Sequence, residues 1–542
     1  PWDGGFSWTK DPQGNPWVTV SCEGLGASVW WPCKDHPSDE PESMDIHIEG
    51  PKGLISVSNG NLVEKISKAT TDKYHWKVSY PINLYNVSIN MANYAHWSKS
   101  MKQLNGKPLA LDYYVLKENE TVAKKHFKQS EEMLLIFEKY FGPYPFPKDG
   151  YALVETDYWG MEHQSAVAYG NHYKNNKFGF DFIIVHESAH EWFGNSISCS
   201  DHADLWIHEA LATYAEAIYL EEKFGKDQAR IYLNAQRNNI RYAFPIAGPY
   251  QVNYQHPDSD MYFKGTWMFH TLRNIIQDDA LWFKTMREFC LAFYHKNTNT
   301  QEVVEYWSKH LDKPVKALML NYLYQVKNPN LQYRIQQDGS NWNLKYRWSN
   351  ISDEIEYPLI LKSGEKINPK SAWQEIKLDH EPQLDEESYL FDKELLIGGA
   401  GAASTPSETS NLLSRLLGMK FKLVEGYKSV PEVSLAMMRG EVHAVCQSLF
   451  ALQGGNLAGR IEDGRLKVLF NFEKQRVPGL NAPSLFEFAK SDEERRILEF
   501  FTSGGQLGRP MLTPPNVPTE RVAALRKAFA MAVNEPQLQE EV

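Results

Sequence analysis

One short segment, VHESAHEWFGN at residues 185–195, limits what this chain can form more than any other stretch. His186 and His190 are four residues apart, so on a helix both imidazoles leave the same face, one turn apart. Glu187 lies between them, in the position of a general base rather than of a ligand. The apolar run from Phe182 to Val185 precedes the pattern and predicts a buried helix.

A further acidic residue, Glu209, follows His190 after eighteen intervening residues and begins a second helix-like segment, EALATYAEAIYLEEKF. Two histidines and one carboxylate hold zinc in catalytic sites, which keep one position open for water. The sequence therefore predicts one Zn²⁺ held by His186, His190 and Glu209, with Glu187 beside it. The alternative is an exposed helix with two solvent-facing histidines, and the apolar flanks argue against that alternative.

The bulk properties exclude several classes of protein. A chain of 542 residues is too long for one core, so several domains are expected. The net charge of −11 and the lack of a basic run argue against a nucleic-acid partner, and no apolar run is long enough to span a bilayer. The five scattered cysteines form no disulfide framework. Because the chain starts in mid-pattern without methionine, we expect a mature or trimmed form whose targeting information is lost. The compartment stays open, with a periplasmic or otherwise exported one favoured and the cytoplasm as the alternative.

The segments HESAHEWFGN and DLWIHEALATYAE together resemble the gluzincin zinc aminopeptidases, whose other branch is the leukotriene hydrolase. The resemblance covers about residues 1–392 and implies a multidomain α+β fold. In that fold, residues 1–96 are the end of a truncated N-terminal β-rich domain, and 97–328 are a thermolysin-like, mainly helical zinc catalytic domain. A small β-sandwich follows at 329–392. The resemblance also implies peptide substrates with a free N-terminus.

A second motif of that family, Gly-x-Met-Glu-Asn on an edge strand, resembles the residues around Glu162. The resemblance implies that Glu162 meets the α-ammonium of the substrate and that Gly160 and Met161 line the substrate pocket. Trp159 and His163 depart from the motif, where the family has its first Gly and its Asn, which leaves the shape and polarity of the pocket open. For His163 a supporting or surface position is favoured over a metal ligand, because the zinc already has three ligands.

Two further residues follow from the same resemblance, and a third, Glu216, follows from its place on the helix that begins with Glu209. Glu23 matches an acidic side chain that reaches the active site, and a surface carboxylate is its alternative. Tyr262, in the segment MYFKG, resembles a tyrosine that donates a hydrogen bond to the oxyanion, a role that suits a donor neutral at pH 7. Glu216 either supports a ligand histidine or is a solvated helix residue, and both interpretations stay open.

The composition changes near residue 393. All 16 tryptophans lie before it, and Tyr427 is the only tyrosine after it. The segments GGAGAASTPSETSNLLSRLLGMKFKLVEGY and GRPMLTPPNVPTERVAALRKAF resemble the solute receptors of tripartite tricarboxylate transporters, which are two-lobed binding proteins of the periplasm. The resemblance implies an α/β lobe of periplasmic-binding-protein type at 393–542 and a small carboxylate as its ligand. Whether the join is a natural fusion or a chimera stays open.

Two helix starts are expected in this C-terminal region. Ser404 and Thr405 precede the helix SETSNLLSRLL, and hydroxyls at a helix N-terminus suit an anion such as a carboxylate. Ordinary capping of the helix is the favoured alternative. Thr519 is expected to cap a later helix that buries Leu525 and Phe529 on one face.

The leading hypothesis is a zinc-dependent aminopeptidase. Two alternatives are an epoxide hydrolase on the same zinc site and a carboxylate-binding solute receptor that carries the peptidase region as a passenger. Binding of tricarboxylates without peptidase activity would favour the receptor. The preferred N-terminal residue and the oligomeric state stay open.

Overall fold

The chain divides into two compact units, Pro1–Lys393 and Glu394–Val542, and the boundary lies beside the change in composition near residue 393. The computed structural model describes the following residues: 4–23, 26–252, 254–311, 313–393, 395–401, 404–417, 419, 421–439, 441–448, 457, 459–461, 466–506 and 513–535. Within these residues, no helix combines the length and the apolar character that crossing a membrane requires.

The first unit starts with two small sheets, whose strand orders are β1-β2-β7-β4 and β3-β6-β5. In β6 every second side chain is buried, because alternate residues of a strand face the core. The segment SVWWP has the β-forming residues that predict a strand. In the structure a 3₁₀ turn forms at Ala27–Val29, where the N–H groups of Trp30 and Trp31 donate to Ala27 O. The strands are β1 (Gly5–Lys10), β2 (Pro16–Ser21), β3 (Met44–Pro51), β4 (Ile55–Val57), β5 (Asn61–Ser67), β6 (Thr71–Val78) and β7 (Asn90–Ala92).

A five-stranded sheet follows, in the order β11-β12-β10-β9-β8, so that β11 lies at an edge. Its strands are β8 (Tyr94–Lys102), β9 (Pro108–Leu116), β10 (Tyr151–Glu155), β11 (Gly160–Met161) and β12 (Val167–Tyr169). The domain boundary predicted at about residue 96 lies near the start of β8 and stays a prediction. β8 pairs with β9 over its whole length, and strand patterns alone do not show which sheet a strand joins.

Helices form most of the rest of the first unit. Residues 121–141, whose apolar spacing predicts a single helix, form two, since the Ser130 hydroxyl donates to Phe127 O at the break and competes with the helical bond. The helices are α1 (Glu120–His126), α2 (Gln129–Phe141), α3 (Phe182–Ala189), α4 (Trp206–Phe224), α5 (Lys226–Arg237), α6 (Asp260–Ile276), α7 (Asp279–Ala292), α8 (Thr300–His310) and α9 (Lys316–Tyr324). Two short strands, β13 (Ile197–Cys199) and β14 (Lys296–Thr298), pair in parallel among them.

Helix α4 is the central element of this unit and is buried from Trp206 to Leu220. Helix α6 crosses it closely at Gly265, where a Cβ atom would lie only 2.5 Å from the Cβ of Ala210. Close crossing is possible because Gly265 has no side chain, and it brings the first turn of α6 toward the residues that α4 carries.

The last part of the first unit, after residue 328, returns to strands. A three-stranded antiparallel sheet has the order β15-β16-β19, and a separate hairpin joins β17 to β18. Their bounds are β15 (Leu331–Asp338), β16 (Asn341–Trp348), β17 (Leu359–Ile360), β18 (Lys366–Ile367) and β19 (Gln374–Leu378).

The second unit contains parallel strands β20 (Leu395–Gly398) and β21 (Phe421–Val424), with α10 (Thr405–Leu416) between them in the chain. Three further helices are α11 (Val430–Met438), α12 (Asp492–Gln506) and α13 (Thr519–Val533). The expectation for α13 was wrong in two respects. Pro518 is its N-cap, so Thr519 is already helical, and the side chains of Leu525 and Phe529 are 55% and 52% exposed.

Candidate metal centre

Helix α3 carries the first two predicted ligands. It begins after Asp181, a buried residue whose carboxylate accepts a hydrogen bond from Ile183 N at 3.1 Å and caps the helix. His186 and His190 leave the same face of α3, and their Nε2 atoms lie 3.2 Å apart. Sequence spacing alone predicted this geometry, since residues four apart on a helix are neighbours.

The third predicted ligand comes from α4. Glu209 Oε2 lies 3.4 Å from Nε2 of His186 and 3.5 Å from Nε2 of His190. This buried oxygen has no hydrogen-bond partner. Zinc bonds of about 2.0–2.2 Å place neighbouring tetrahedral ligands roughly 3.3–3.6 Å apart. The three atoms therefore have the chemistry and the spacing that a zinc ion needs.

The outer nitrogens of both histidines are held by hydrogen bonds. Nδ1–H of His186 donates to Glu216 Oε1 at 2.8 Å, and Nδ1–H of His190 donates to Phe193 O at 2.8 Å. With the proton on Nδ1, each Nε2 keeps its lone pair toward Glu209. Such outer contacts fix the tautomer and the ring orientation of metal-binding histidines.

Glu216 is buried, so its alternative as a solvated helix residue is wrong. Its second oxygen accepts hydrogen bonds from Tyr232 Oη and, at 3.1 Å, from Gln236 Nε2. The carboxylate is thereby held from two sides by α5 while it contacts His186.

Replacing Glu216 by glutamine is expected to weaken zinc binding about tenfold, because a neutral amide orients and polarises the His186 ring less well. The zinc affinity is measured by competition with a chromophoric chelator. Glu222→Gln is the matched control, since Glu222 lies on the same helix and contacts Lys139 and Tyr140 instead. Equal zinc affinity in Glu216→Gln and the parent would exclude this role.

Glu187 lies on α3 between the two histidines and is 7% exposed. A Cβ atom at Gly160 would lie 2.5 Å from Glu187 Oε1 and 2.8 Å from Ile183, so only a glycine lets β11 approach this carboxylate so closely. Burial, aided by the carboxylate of Glu162, raises the pKa of Glu187 to about 7 against the opposing effect of His186. A general base works best with a pKa near the operating pH.

Two more carboxylates, those of Glu162 and Glu23, enter the same buried volume. Glu162 Oε1 accepts a hydrogen bond from Tyr85 Oη at 2.9 Å, whereas Oε1 of Glu23 is buried without a partner. Oxygens of Glu23, Glu162 and Glu209 lie within 4.8 Å of one another. Burial first, and then the neighbouring carboxylates, raise the pKa of Glu23 well above its usual value. Glu23 is partly buried, and its buried Oε1 atom lies inside the site rather than on the surface.

The carboxylates of this site need cations to balance their negative charge. Two histidines face four carboxylates, those of Glu23, Glu162, Glu187 and Glu209. Buried charges are costly unless they are paired or bind a metal. One divalent ion beside Glu209 and one ammonium group between Glu23 and Glu162 would balance most of this charge.

Tyr262 lies in the first turn of α6, with its ring centroid 6.0 Å from that of His186. Burial, and after it the carboxylates of Glu209 and Glu23, raise the pKa of this phenol well above its usual value. The hydroxyl therefore stays protonated and serves as a donor. Lys264 of the same segment turns away and donates to Gln325 O and, at 3.1 Å, to Val326 O.

Two further residues of the edge-strand motif, Met161 and His163, are buried. Met161 packs in an apolar cluster with Cys22 and Tyr85. His163 has no exposed surface, so a surface position for it is wrong; neither ring nitrogen has a partner, and burial lowers the pKa of His163 to about 3. The structure adds Asn195, which the sequence argument missed and whose Nδ2 donates to Glu162 O at 2.9 Å.

The candidate anion site of the second unit is only partly described. Ser404 is the N-cap of α10, and its hydroxyl accepts from Ala400 N at 3.2 Å and lies 3.0 Å from Ser407 Oγ. Its side chain caps no helix N–H group. The side chain of Thr405 lies outside the described residues, so the anion site stays a prediction.

A helix with two histidines and an intervening glutamate, completed by a carboxylate of the next helix, is the arrangement of zinc metallopeptidases. Residues 126–322, which contain the three predicted metal ligands, match the family model of the Peptidase family M1 domain. The resemblance to zinc aminopeptidases is thus supported for this region. The resemblance of residues 393–542 to solute receptors concerns a segment outside this match and stays a prediction.

Known proteins with similar sequences are aminopeptidases. Endoplasmic reticulum aminopeptidase 1 of Rattus norvegicus is 23% identical over 318 residues, which are 54% of this chain and 33% of that protein. Glutamyl aminopeptidase of Sus scrofa is 24% identical over 371 residues, 60% of this chain and 38% of that protein. The alignments thus span little more than a third of the length of these relatives.

A solved structure with a similar fold is that of an M1 zinc metallopeptidase from Deinococcus radiodurans. It is 19% identical in sequence and superposes with a TM-score of 0.50, covering 60% of this chain and 72% of that one. At this identity the likeness concerns the fold.

Proposed function

We propose that the first unit is a zinc-dependent aminopeptidase that removes N-terminal residues from peptides, with its catalytic domain at about residues 97–328. The observation that carries this proposal is the cluster of two histidines and four carboxylates, which suits one metal ion and one ammonium group. Glu162, Glu187, His190 and Glu209 are buried, and His186 and Glu23 are partly buried. An endopeptidase does not have to recognise a chain terminus, whereas recognition of a free N-terminus needs a second, anionic subsite that binds the ammonium group.

We assign His186, His190 and Glu209 as the residues that hold the ion. Zn²⁺ in such a site lowers the pKa of water to about 7 and polarises the scissile carbonyl. Glu187 accepts the proton of the attacking water and passes it to the leaving amine. The carboxylates of Glu23 and Glu162 bind the substrate ammonium, which places the first peptide bond beside Glu187.

Tyr262 is assigned the stabilisation of the oxyanion by its neutral hydroxyl. Replacing Tyr262 by phenylalanine is expected to lower kcat about 10²-fold with little change in KM, because the donor acts mainly on the transition state. Steady-state kinetics on an aminoacyl-anilide measures both constants. Tyr294→Phe, which changes a partly exposed phenol in the segment just after α7, is the control and keeps the parental kcat. A change confined to KM would argue against the assignment.

Zinc content and hydrolysis of an aminoacyl-anilide panel, with and without chelator, test the proposed function. We expect one zinc per chain and hydrolysis that is lost on chelation and restored by zinc. The N-acetylated counterparts should resist cleavage, since they carry no ammonium for Glu23 and Glu162. Cleavage of acetylated and free substrates at equal rates would contradict an aminopeptidase, and undiminished activity without metal would contradict the zinc assignment.

For the second unit we propose an α/β lobe of periplasmic-binding-protein type with a small carboxylate as its ligand. The parallel pairing of β20 and β21 across α10 supports this proposal. Calorimetry of the full chain with citrate tests the ligand, and heat changes no larger than those of buffer dilution would contradict it.

A further inference from the structure

Trp159 is an exposed aromatic residue at the edge of the candidate metal centre. Its side chain is 61% exposed, and its ring meets that of Phe182 edge to face at 5.9 Å. Phe182 lies four residues before His186 and therefore on the face of α3 that carries the ligand histidines. The pair thus stands one helical turn away from the ligands, on the open side of the strand β11.

Only one direction along β11 is open to a bound peptide. Residues 161–170 are all buried, whereas residues 157–160 are exposed or half-buried. β11 pairs with β12 on one side alone, so its other edge has free backbone groups to which an extended peptide can add. A peptide whose ammonium lies at Glu162 must therefore run past Gly160 toward Trp159, antiparallel to β11.

Distance then selects the part of the peptide that reaches Trp159. From Glu162 to Trp159 the chain advances three residues, or about 10 Å in an extended strand. A bound peptide covers this distance with its second and third residues. These residues follow the bond that Glu187 attacks, so they belong to the leaving side of the substrate.

We propose that Trp159 and Phe182 form an apolar wall that selects peptides with large apolar side chains at the second and third residues. This inference rests on the proposed aminopeptidase function. Aromatic walls of this kind favour apolar and aromatic partners through area burial and edge-to-face contact. The wall is a feature of this chain, because Trp159 lies at the position where the family motif that this segment resembles has glycine.

The test compares kcat/KM for the tripeptides Leu-Gly-Phe and Leu-Gly-Gly. The parent is expected to prefer the first peptide, and Trp159→Ala is expected to reduce that preference about tenfold. Trp159→Tyr should restore most of it. Trp8→Ala is the matched control: Trp8 is 75% exposed, lies on β1, and should leave the preference at the parental value.

Equilibrium binding gives a second measurement that does not depend on turnover. Calorimetry of the same tripeptides with the Glu187→Gln variant should show tighter binding of Leu-Gly-Phe, and adding Trp159→Ala should remove most of that difference. If the parent cleaves both peptides but Trp159→Ala keeps the full preference, the wall is wrong and the aminopeptidase proposal stands. If the zinc-loaded parent cleaves neither peptide nor any anilide, the proposed function itself fails.

Discussion

Replacing Glu187 by glutamine is expected to lower kcat about 10³-fold while the chain keeps one zinc per molecule. The amide has nearly the shape of the carboxylate, and no oxygen of Glu187 is one of the three atoms that surround the proposed ion. The amide, however, cannot take up the proton of the attacking water. Proton transfer by a positioned base typically raises the rate about 10²–10⁴-fold. Zinc analysis and turnover of an aminoacyl-anilide, measured on the same sample, check both parts.

The same substitution should not destabilise the fold. Burial raises the pKa of Glu187 to about 7, so the carboxylate is already costly to keep charged, and a neutral amide removes that cost. Glu132→Gln is the control, because it makes the same chemical change at a half-exposed position on α2. A variant with near-parental turnover would refute the assignment of Glu187 as the base.

Replacing His190 by alanine is expected to abolish zinc binding and to reduce hydrolysis on the order of 10⁴-fold or more, since the attacking water then lacks its activating metal. His190 is 1% exposed, and its Nε2 lies 3.2 Å from Nε2 of His186 and 3.5 Å from Glu209 Oε2. Metal analysis after dialysis measures the first effect. His47→Ala, at an exposed imidazole on β3, is the control and should retain zinc.

Thermal unfolding separates loss of the metal from loss of the fold. An ion that binds only the native state stabilises it, so a chelator should lower the Tm of the parent and of His47→Ala. The same chelator should leave the Tm of His190→Ala unchanged, because that variant has no zinc to lose. A variant that still binds one zinc tightly would show that His190 is not a ligand.

The residues that the sequence placed correctly are those whose relation is local. His186, Glu187 and His190 share two turns of one helix, and helical periodicity alone brings the two imidazoles together. The fold class was also predictable in outline, because strand and helix patterns repeat over long segments. The sheet that β8 joins could not be predicted, since a strand pattern does not reveal its partner strand.

The residues that the sequence left open or missed depend on contacts between distant segments. Glu216 could have faced water or His186, and only the packing of α4 beside α3 decides between them. Tyr85 reaches Glu162 from 77 positions away, and no spacing rule connects them. Asn195 had a weak signal, since it ends the motif segment itself, but its contact with Glu162 O depends on the sheet.

The sequence by itself determined that His186 and His190 share one face of a helix with Glu187 between them, because the 3.6-residue period of a helix brings residues four apart together. Only the tertiary structure decided that Glu23 and Glu162 add their charge to the same buried volume and that Trp159 stands exposed on the open edge. The physical reason is that burial and charge are properties of a packed neighbourhood, which segments far apart in the chain create together.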